Sequence, residues 1–321
     1  MDTIVIAHRG ACGYLPEHTL AAKALAHGMG AHYIEQDVVL SRDGVPIVLH
    51  DIYLDTTTNV STLFPKRARP DGRYYAIDFN LEEIRQLRVH ERTVLNKNGP
   101  VRPAYPERFP HAPALFSVPT LAEEIQLIAG LDRSRNRRTG LYVEMKAPNW
   151  HLAQCEDLTA AVLQVLQQTG YAERPDQVFL QCFDDKTLQH LHNEIKTPLP
   201  LIQLIGENAW SEDSEVDYDY LQTPAGLDYV ASYAAGIGPW LHQIYRGKDN
   251  SGIPQLSNLV DQAHQRDLLV HPYTFRADEL PESVANIDEL FDIFVRLAGV
   301  DGFFTDFPDL AINYLERAET T

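Results

Sequence analysis

The run Ile4-Val5-Ile6-Ala7-His8-Arg9-Gly10, with Tyr33-Ile34-Glu35-Gln36-Asp37-Val38-Val39-Leu40 and Ile47-Val48-Leu49-His50-Asp51 after it, decides the fold. In each stretch, aliphatic and β-branched residues of strand length carry a polar cluster. Side chains of a strand alternate between its faces, so Glu35 and Asp37 point one way while Ile34, Gln36 and Val38 point the other. Two carboxylates side by side repel unless a proton or a cation sits between them. Hard oxygen ligands at this spacing suit calcium or magnesium, and an acid/base pair is the competing reading. The company favours the ion: His8-Arg9 and His50-Asp51 each stand where a strand would open into a loop.

Working outward, strand-length apolar runs recur at residues 3–7, 33–39, 46–50, 141–146, 178–183, 199–205, 236–239, 268–273 and 302–305. Between them, residues 19–29, 121–128, 152–168, 185–195, 257–266 and 287–298 show apolar spacing of three and four. Alternating strands and helices imply parallel strands, and about eight such units imply a closed (β/α)8 TIM barrel with its site at the C-terminal mouth. Residues 52–118 break the rhythm. They are rich in proline and charge, as in Phe64-Pro65-Lys66-Arg67-Ala68-Arg69-Pro70, and hold one short helical pattern at 81–87. A structureless loop of that length is disfavoured, so 52–118 reads as an inserted subdomain overhanging the mouth of a single domain, 1–321. Residues 209–226, acidic and tyrosine-rich, read as a solvated loop.

Hydrophobic residues make up 44% of the 321, enough for a large core. The net charge of −18 argues against a nucleic acid or an anionic membrane as partner. A small anionic ligand needs only a local positive spot, which a metal ion, Arg9 and Lys146 could make. Cys12, Cys155 and Cys182 have no zinc-ligand spacing and read as small buried hydrophobes; Cys12 lies near His8 but has no neighbour that would depress its pKa. No apolar run is long enough to span a bilayer. The chain opens Met1-Asp2-Thr3 with no apolar leader, which implies the cytoplasm, or the periplasm where a signal peptide has been removed.

Six motifs in order, His8-Arg9-Gly10, Pro16-Glu17-His18-Thr19, Glu35-x-Asp37, His50-Asp51, Glu144-x-Lys146 and Asp301-Gly302-Phe303-Phe304-Thr305-Asp306-Phe307-Pro308, resemble the signature of the glycerophosphodiester phosphodiesterase family. Tyr14-Leu15-Pro16-Glu17-His18-Thr19, residues 71–79 and Val270-His271-Pro272-Tyr273-Thr274 are similar to its periplasmic bacterial branch. The resemblance implies a calcium or magnesium ion held by Glu35, Asp37 and Glu144, and an insertion at this place in the barrel. It also implies hydrolysis of glycerophosphodiesters to glycerol 3-phosphate and an alcohol, through attack by the adjacent glycerol hydroxyl and a cyclic phosphate.

Glu144 and Lys146 share a face of their strand, as an ion pair of the barrel or as a ligand beside an anion hook. His8 and His50, flanking the carboxylates, are the candidate acid/base pair, because imidazole titrates near neutrality. Arg9 and Lys146 would bind phosphate oxygens, and Gln181, Tyr273 and Phe275, at later strand ends, would line the pocket. Asp51 and Glu17 read as partners that orient a histidine or Arg9, or as loop caps. His18 and His271-Pro272 read as structural, and Asp301, Thr305 and Asp306 as turn and cap residues before the last helix. The rival readings are a phospholipase of the phosphoinositide or sphingomyelinase D kind, which would need an apolar membrane-facing rim, and a non-catalytic glycerophosphodiester-binding protein. A small-molecule substrate is the expected partner, without membrane insertion, and a homodimer is compatible with the reading.

Overall fold

A computed structural model of the chain describes residues 3–95, 102–110, 115–210 and 214–319. The opening Met1-Asp2, stretches 96–101 and 111–114 of the insertion, and 211–213 of the acidic segment lie outside them.

Eight parallel strands form the barrel: β1 (Ile4–Ala7), β2 (Tyr33–Leu40), β3 (Gly140–Met145), β4 (Val178–Cys182), β5 (Leu201–Ile205), β6 (Gly236–Pro239), β7 (Leu269–Val270) and β8 (Gly302–Thr305). Each pairs with the next from β1 to β7, and β8 pairs with β1. The remaining seam is closed by single bonds, Asp301 N to Val270 O at 3.1 Å and Phe304 N to Pro272 O at 3.0 Å.

Period-two patterning sorts each strand between two compartments. Leu141, Val143 and Met145 of β3 pack outward against the helices, while Tyr142 joins Ile6, Phe179, Ile202 and Phe304 inside the barrel. This aromatic plug is the floor beneath the mouth, and it holds His271, whose Nδ1 lies 2.8 Å from the Tyr142 hydroxyl. The packing role read for His271 is thus where the structure puts it. Behind β2, outward-facing Gln36 and the helix Leu121–Arg135 meet over the fully buried ion pair Lys23–Glu124, 2.8 Å apart.

Three expectations need correction. Residues 46–50 do not make a barrel strand: Pro46–Val48 runs antiparallel to β2, with Val48 opposite Val38. Only Ser41 to Val45 separate the two, a hairpin with Gly44 at φ 71°, too short for the crossover that parallel strands need. Residues 209–226 are not simply a solvated loop. Asp217 caps a turn of helix, Tyr218–Leu221, and Thr223 with Pro224 starts another, Pro224–Ala231, burying Tyr218 and Leu221. The helical pattern at 152–168 is two helices, Pro148–Ala153 and Leu158–Thr169, parted where Cys155 takes φ 65°.

The insertion carries its own small core, Leu54, Val60, Tyr74, Phe79, Ile84, Leu87 and Val89 packed with Val39, Ile47 and Leu49. Its helical pattern forms one turn, Leu81–Ile84, closed by a capping box of Asn80 and Glu83.

Candidate active site

Barrel register brings the carboxylates together. Asp37 of β2 is the partner of Glu144 on β3, and Glu144 is the partner of Gln181 on β4. Glu35 lies two residues earlier on the same face of β2. Glu35, Asp37 and Glu144 each place an oxygen within 4.8 Å of the others, and all three are buried. Burial, then repulsion from Asp37 and Glu144, pushes Glu35 well above the usual carboxylate range. Burial and Asp37 carry Glu144 to about 8 against the pull of Lys146. Asp37 goes the other way: its burial is outweighed by His18 at 2.7 Å together with His50 and Lys146. Its Oδ1 nevertheless has no hydrogen-bond partner among the described residues. A hard divalent cation between the three would satisfy that oxygen and end the repulsion, so the donor set fits one.

Neighbours hold these carboxylates in place. The backbone N–H of Arg9, in the left-handed region at φ 55°, donates to Glu35 Oε2 at 2.7 Å. Gln181 donates to Glu35 Oε1 at 3.1 Å, and the Lys23 ammonium donates to the Glu35 carbonyl. His18, read from sequence as structural, therefore touches the cluster through Asp37.

The two histidines stand at strand ends beside this cluster. His8 Nδ1 is 2.6 Å from Asp306 Oδ1, leaving Nε2 toward the cavity, 3.9 Å from Glu35. His50 Nδ1 is 2.6 Å from Asp51 Oδ1, and its Nε2 is 3.5 Å from the Lys146 ammonium. A carboxylate accepts only, so both imidazoles carry hydrogen on Nδ1 and offer a lone pair at Nε2. Burial lowers His8 against the opposing pull of Asp306. Burial, Arg9 and Lys146 lower His50 to about 3. Asp51 is held down by Arg92 and His50, and Asp306 by His8, Arg276 and Arg108, each against its burial.

The three carboxylates, both histidines, Arg9, Lys146 and Gln181 line one cavity of about 510 Å³. Part of its wall is aromatic: Phe183 and Trp240 directly follow β4 and β6, and Trp210 and Tyr273 come from the segments after β5 and β7. Phe183 and Tyr273 meet edge to face at 6.1 Å, as do Trp210 and Trp240 at 5.2 Å.

A model of the glycerophosphoryl diester phosphodiesterase family matches residues 8–310. The chain belongs to this family. It is similar to a glycerophosphodiester phosphodiesterase of Haemophilus influenzae, 39% identical over 98% of this chain and 90% of that protein. It is similar also to one of Treponema pallidum, 35% identical over 98% of this chain and 92% of that one. Among solved structures, a Silicibacter pomeroyi protein assigned to the glycerophosphoryl diester phosphodiesterases superposes with a TM-score of 0.71. It is 25% identical and covers 99% of this chain and 94% of its own.

Of the residues singled out in sequence, this member of the family brings His8, Arg9, Glu35, Asp37, His50, Glu144, Lys146, Gln181 and Tyr273 onto the cavity. Phe275 is a correction. It is fully buried behind the barrel wall, 4.7 Å from the ring of Phe303 and 4.8 Å from that of Phe294, and does not reach the cavity. One residue of strand register separates its face from that of Thr274, which does line it. Cys12 and Cys182 are buried, and burial raises the Cys12 thiol so that it offers no thiolate; Cys155 is exposed, a correction to its reading as a buried hydrophobe.

Other contacts were not legible. Asp306, read as a cap, is the partner of His8. Arg92 and Arg108 of the insertion reach Asp51 and Asp306. Phe183, Trp210 and Trp240 went unnamed; the first and last directly follow strand ends, which was the available signal.

Proposed function

We propose that the chain hydrolyses glycerophosphodiesters, the deacylated phospholipids, to glycerol 3-phosphate and a free alcohol such as choline or ethanolamine. The observation that carries this reading is one cavity floor holding three buried carboxylates within 4.8 Å, two imidazole Nε2 atoms, and the cations of Arg9 and Lys146. Membership of the family and two relatives of that name spanning nearly the whole chain support it.

Glu35, Asp37 and Glu144 would hold the divalent ion, calcium in this reading with magnesium second, because every ligand is an oxygen. Bound there, the ion supplies positive charge to the phosphate oxygens and acidifies a hydroxyl next to it. The Arg9 guanidinium, kept charged by Glu17, and the Lys146 ammonium bind the phosphate and take up charge developing on it. Gln181 and Tyr273 border the space for the rest of the substrate.

The glycerol hydroxyl beside the phosphoester attacks phosphorus. One imidazole removes its proton at Nε2 while the other, as imidazolium, protonates the departing alcohol oxygen. One P–O bond forms as another breaks, leaving a cyclic glycerol phosphate and a free alcohol. Water then opens the ring with the two imidazoles in exchanged roles. Burial disfavours the imidazolium in the free protein, and the phosphate anion offsets part of that penalty.

Glycerophosphocholine and an analogue with hydrogen in place of the adjacent hydroxyl test the route. Cleavage of the first, with the second a competitive inhibitor that is not turned over, is the expected result. Comparable turnover of both overturns the cyclic phosphate. No turnover of glycerophosphocholine in calcium overturns the whole reading.

A further inference from the structure

The insertion reaches both imidazoles by the same device. Arg108 Nη2 lies 2.6 Å from Asp306 Oδ2, while the other oxygen of that carboxylate takes His8 Nδ1 at 2.6 Å. Arg92 Nη1 lies 2.8 Å from Asp51 Oδ2, while the other oxygen takes His50 Nδ1 at 2.6 Å. We propose that Arg92 and Arg108 are positioning residues for the two histidines, so that the insertion is a working part of the site. This rests on the reading of His8 and His50 as the acid/base pair.

Each arginine does two things to its carboxylate. Its charge keeps the carboxylate ionised and therefore an acceptor only, which selects the Nδ1–H form of the imidazole and leaves the Nε2 lone pair for the cavity. Its directed N–H fixes the plane of the carboxylate and, through it, the plane of the ring. Arg108 is itself anchored: its side chain is 4% exposed, it forks onto Asp278 at 2.8 and 3.1 Å, and it stacks 3.8 Å from the ring centre of Tyr105. Asp306 has a second cation nearby, Arg276 Nε at 3.1 Å, but that N–H makes no hydrogen bond. Loss of Arg108 thus leaves the charge of Arg276 close to Asp306, but among the described residues no arginine N–H hydrogen-bonded to its outer oxygen.

Arg92 carries a further connection. Its Nε and Nη2 fork onto Glu17 at 2.7 and 2.6 Å, and the same carboxylate takes Arg9 Nη1 at 3.0 Å. Arg92 thereby touches two chains of contact, one ending at His50 and one at the proposed phosphate hook, whereas Arg108 serves His8 alone. The two arginines should differ in kinetic signature for that reason.

The test compares Arg108→Gln, Arg108→Lys and Arg92→Gln with Arg73→Gln. Arg73 lies in the same insertion, forks onto Asp55 at 2.9 and 2.7 Å and touches neither histidine pair. R108Q should lower kcat on glycerophosphocholine about 10- to 100-fold with KM within about twofold, the usual size for a partner one contact behind the chemistry. R108K keeps the charge without the fork and should lose less, though still at least ~3-fold. R92Q should lower kcat and raise KM together, and R73Q should change neither. Imidazole 15N spectra at pH 8 give a readout apart from turnover. Wild type should show the Nδ1–H form at His8 and His50, R108Q a mixture at His8 only, and R92Q a mixture at His50 only.

Wild-type kcat in whichever Arg108 variant folds, or an equal loss in R73Q, overturns the inference. A wild-type protein that cleaves no glycerophosphodiester fails the functional reading instead, and the tautomer comparison then decides the positioning role by itself.

Discussion

His8 and His50 carry the same attachments, an Nδ1 bond of 2.6 Å to a carboxylate whose other oxygen meets an arginine, yet they are built by opposite routes. The carboxylate for His50 is its neighbour in sequence, and the pair needs only a local turn. The carboxylate for His8 is 298 residues away, and the pair exists only once β8 has docked beside β1 to close the barrel. Burial follows the route: the side chain of His8 is 10% exposed against 29% for His50. His8 is therefore tied to the closure of the barrel as well as to the insertion's Arg108, whereas His50 is tied to the insertion alone, through Arg92 and Thr56 on Asp51.

The largest expected effect ignores this difference. Chelation should abolish turnover altogether and lower the melting temperature, and calcium should restore both, since binding to the folded state alone stabilises it. Full activity in excess chelator would sink the ion at Glu35, Asp37 and Glu144. Next in size, His8→Ala and His50→Ala should each lower kcat at least ~100-fold, the ordinary scale of a positioned acid or base. Thermal melts on both variants check that the protein stays folded. A variant that unfolds instead marks that histidine as a packing residue.

The carboxylates should then break the symmetry. Asp306→Asn and Asp51→Asn should cost similar factors in kcat, about 10- to 100-fold, because each loses the group that selects the imidazole tautomer. Their stabilities should differ. Asp306 is 1% exposed with Arg108 and Arg276 upon it, and removing one charge from a buried ion pair costs about 3–5 kcal/mol. Asp51 is less deeply buried, and Arg92 keeps Glu17 as a partner, so its loss should cost less than that. Urea unfolding measures both, and equal losses would mean that the route by which each pair is assembled has no energetic consequence.

The same contrast explains what could be read from sequence. Period-two patterning put Glu35 with Asp37, and Glu144 with Lys146, on one face of their strands, because face follows directly from residue spacing. Phe275 was read onto the pocket from its place near a strand end, and it faces away because beyond β7 the chain leaves regular strand geometry, where such a place does not fix the face. Asp51 was visible as a partner because it is adjacent to His50. Asp306 was not, because nothing local distinguishes a capping aspartate from one that meets a histidine across the closing seam. Arg92 and Arg108 left no trace at all. They sit in a segment whose hydrophobic pattern has neither helix nor strand period, so its fold, and the direction of its side chains, is set by tertiary contacts alone.

The smallest expected effect on turnover concerns Glu91, next to Arg92. Glu91 is 2% exposed, and its Oε2 has no hydrogen-bond partner among the described residues. Burial, then repulsion from Glu17, raises it from an ordinary 4.5 to about 7, against the pull of the Arg92 backbone N–H and Arg108. The folded protein thus keeps this proton up to about pH 7, where the unfolded chain has already released it above 4.5. Between those values the folded state binds more protons, so its stability falls as pH rises, and the penalty is complete above about 7. A shift of that size corresponds to about 3 kcal/mol. Glu91→Gln, which cannot ionise, should therefore be more stable than wild type at pH 8 by up to that amount and equal to it at pH 4, with kcat unchanged because Glu91 bonds to neither histidine pair. Urea unfolding at the two pH values measures it. A difference of the same size at both would show that Glu91 acts through packing, and that this buried position beside Arg92 is held by shape where the two histidine pairs are held by charge.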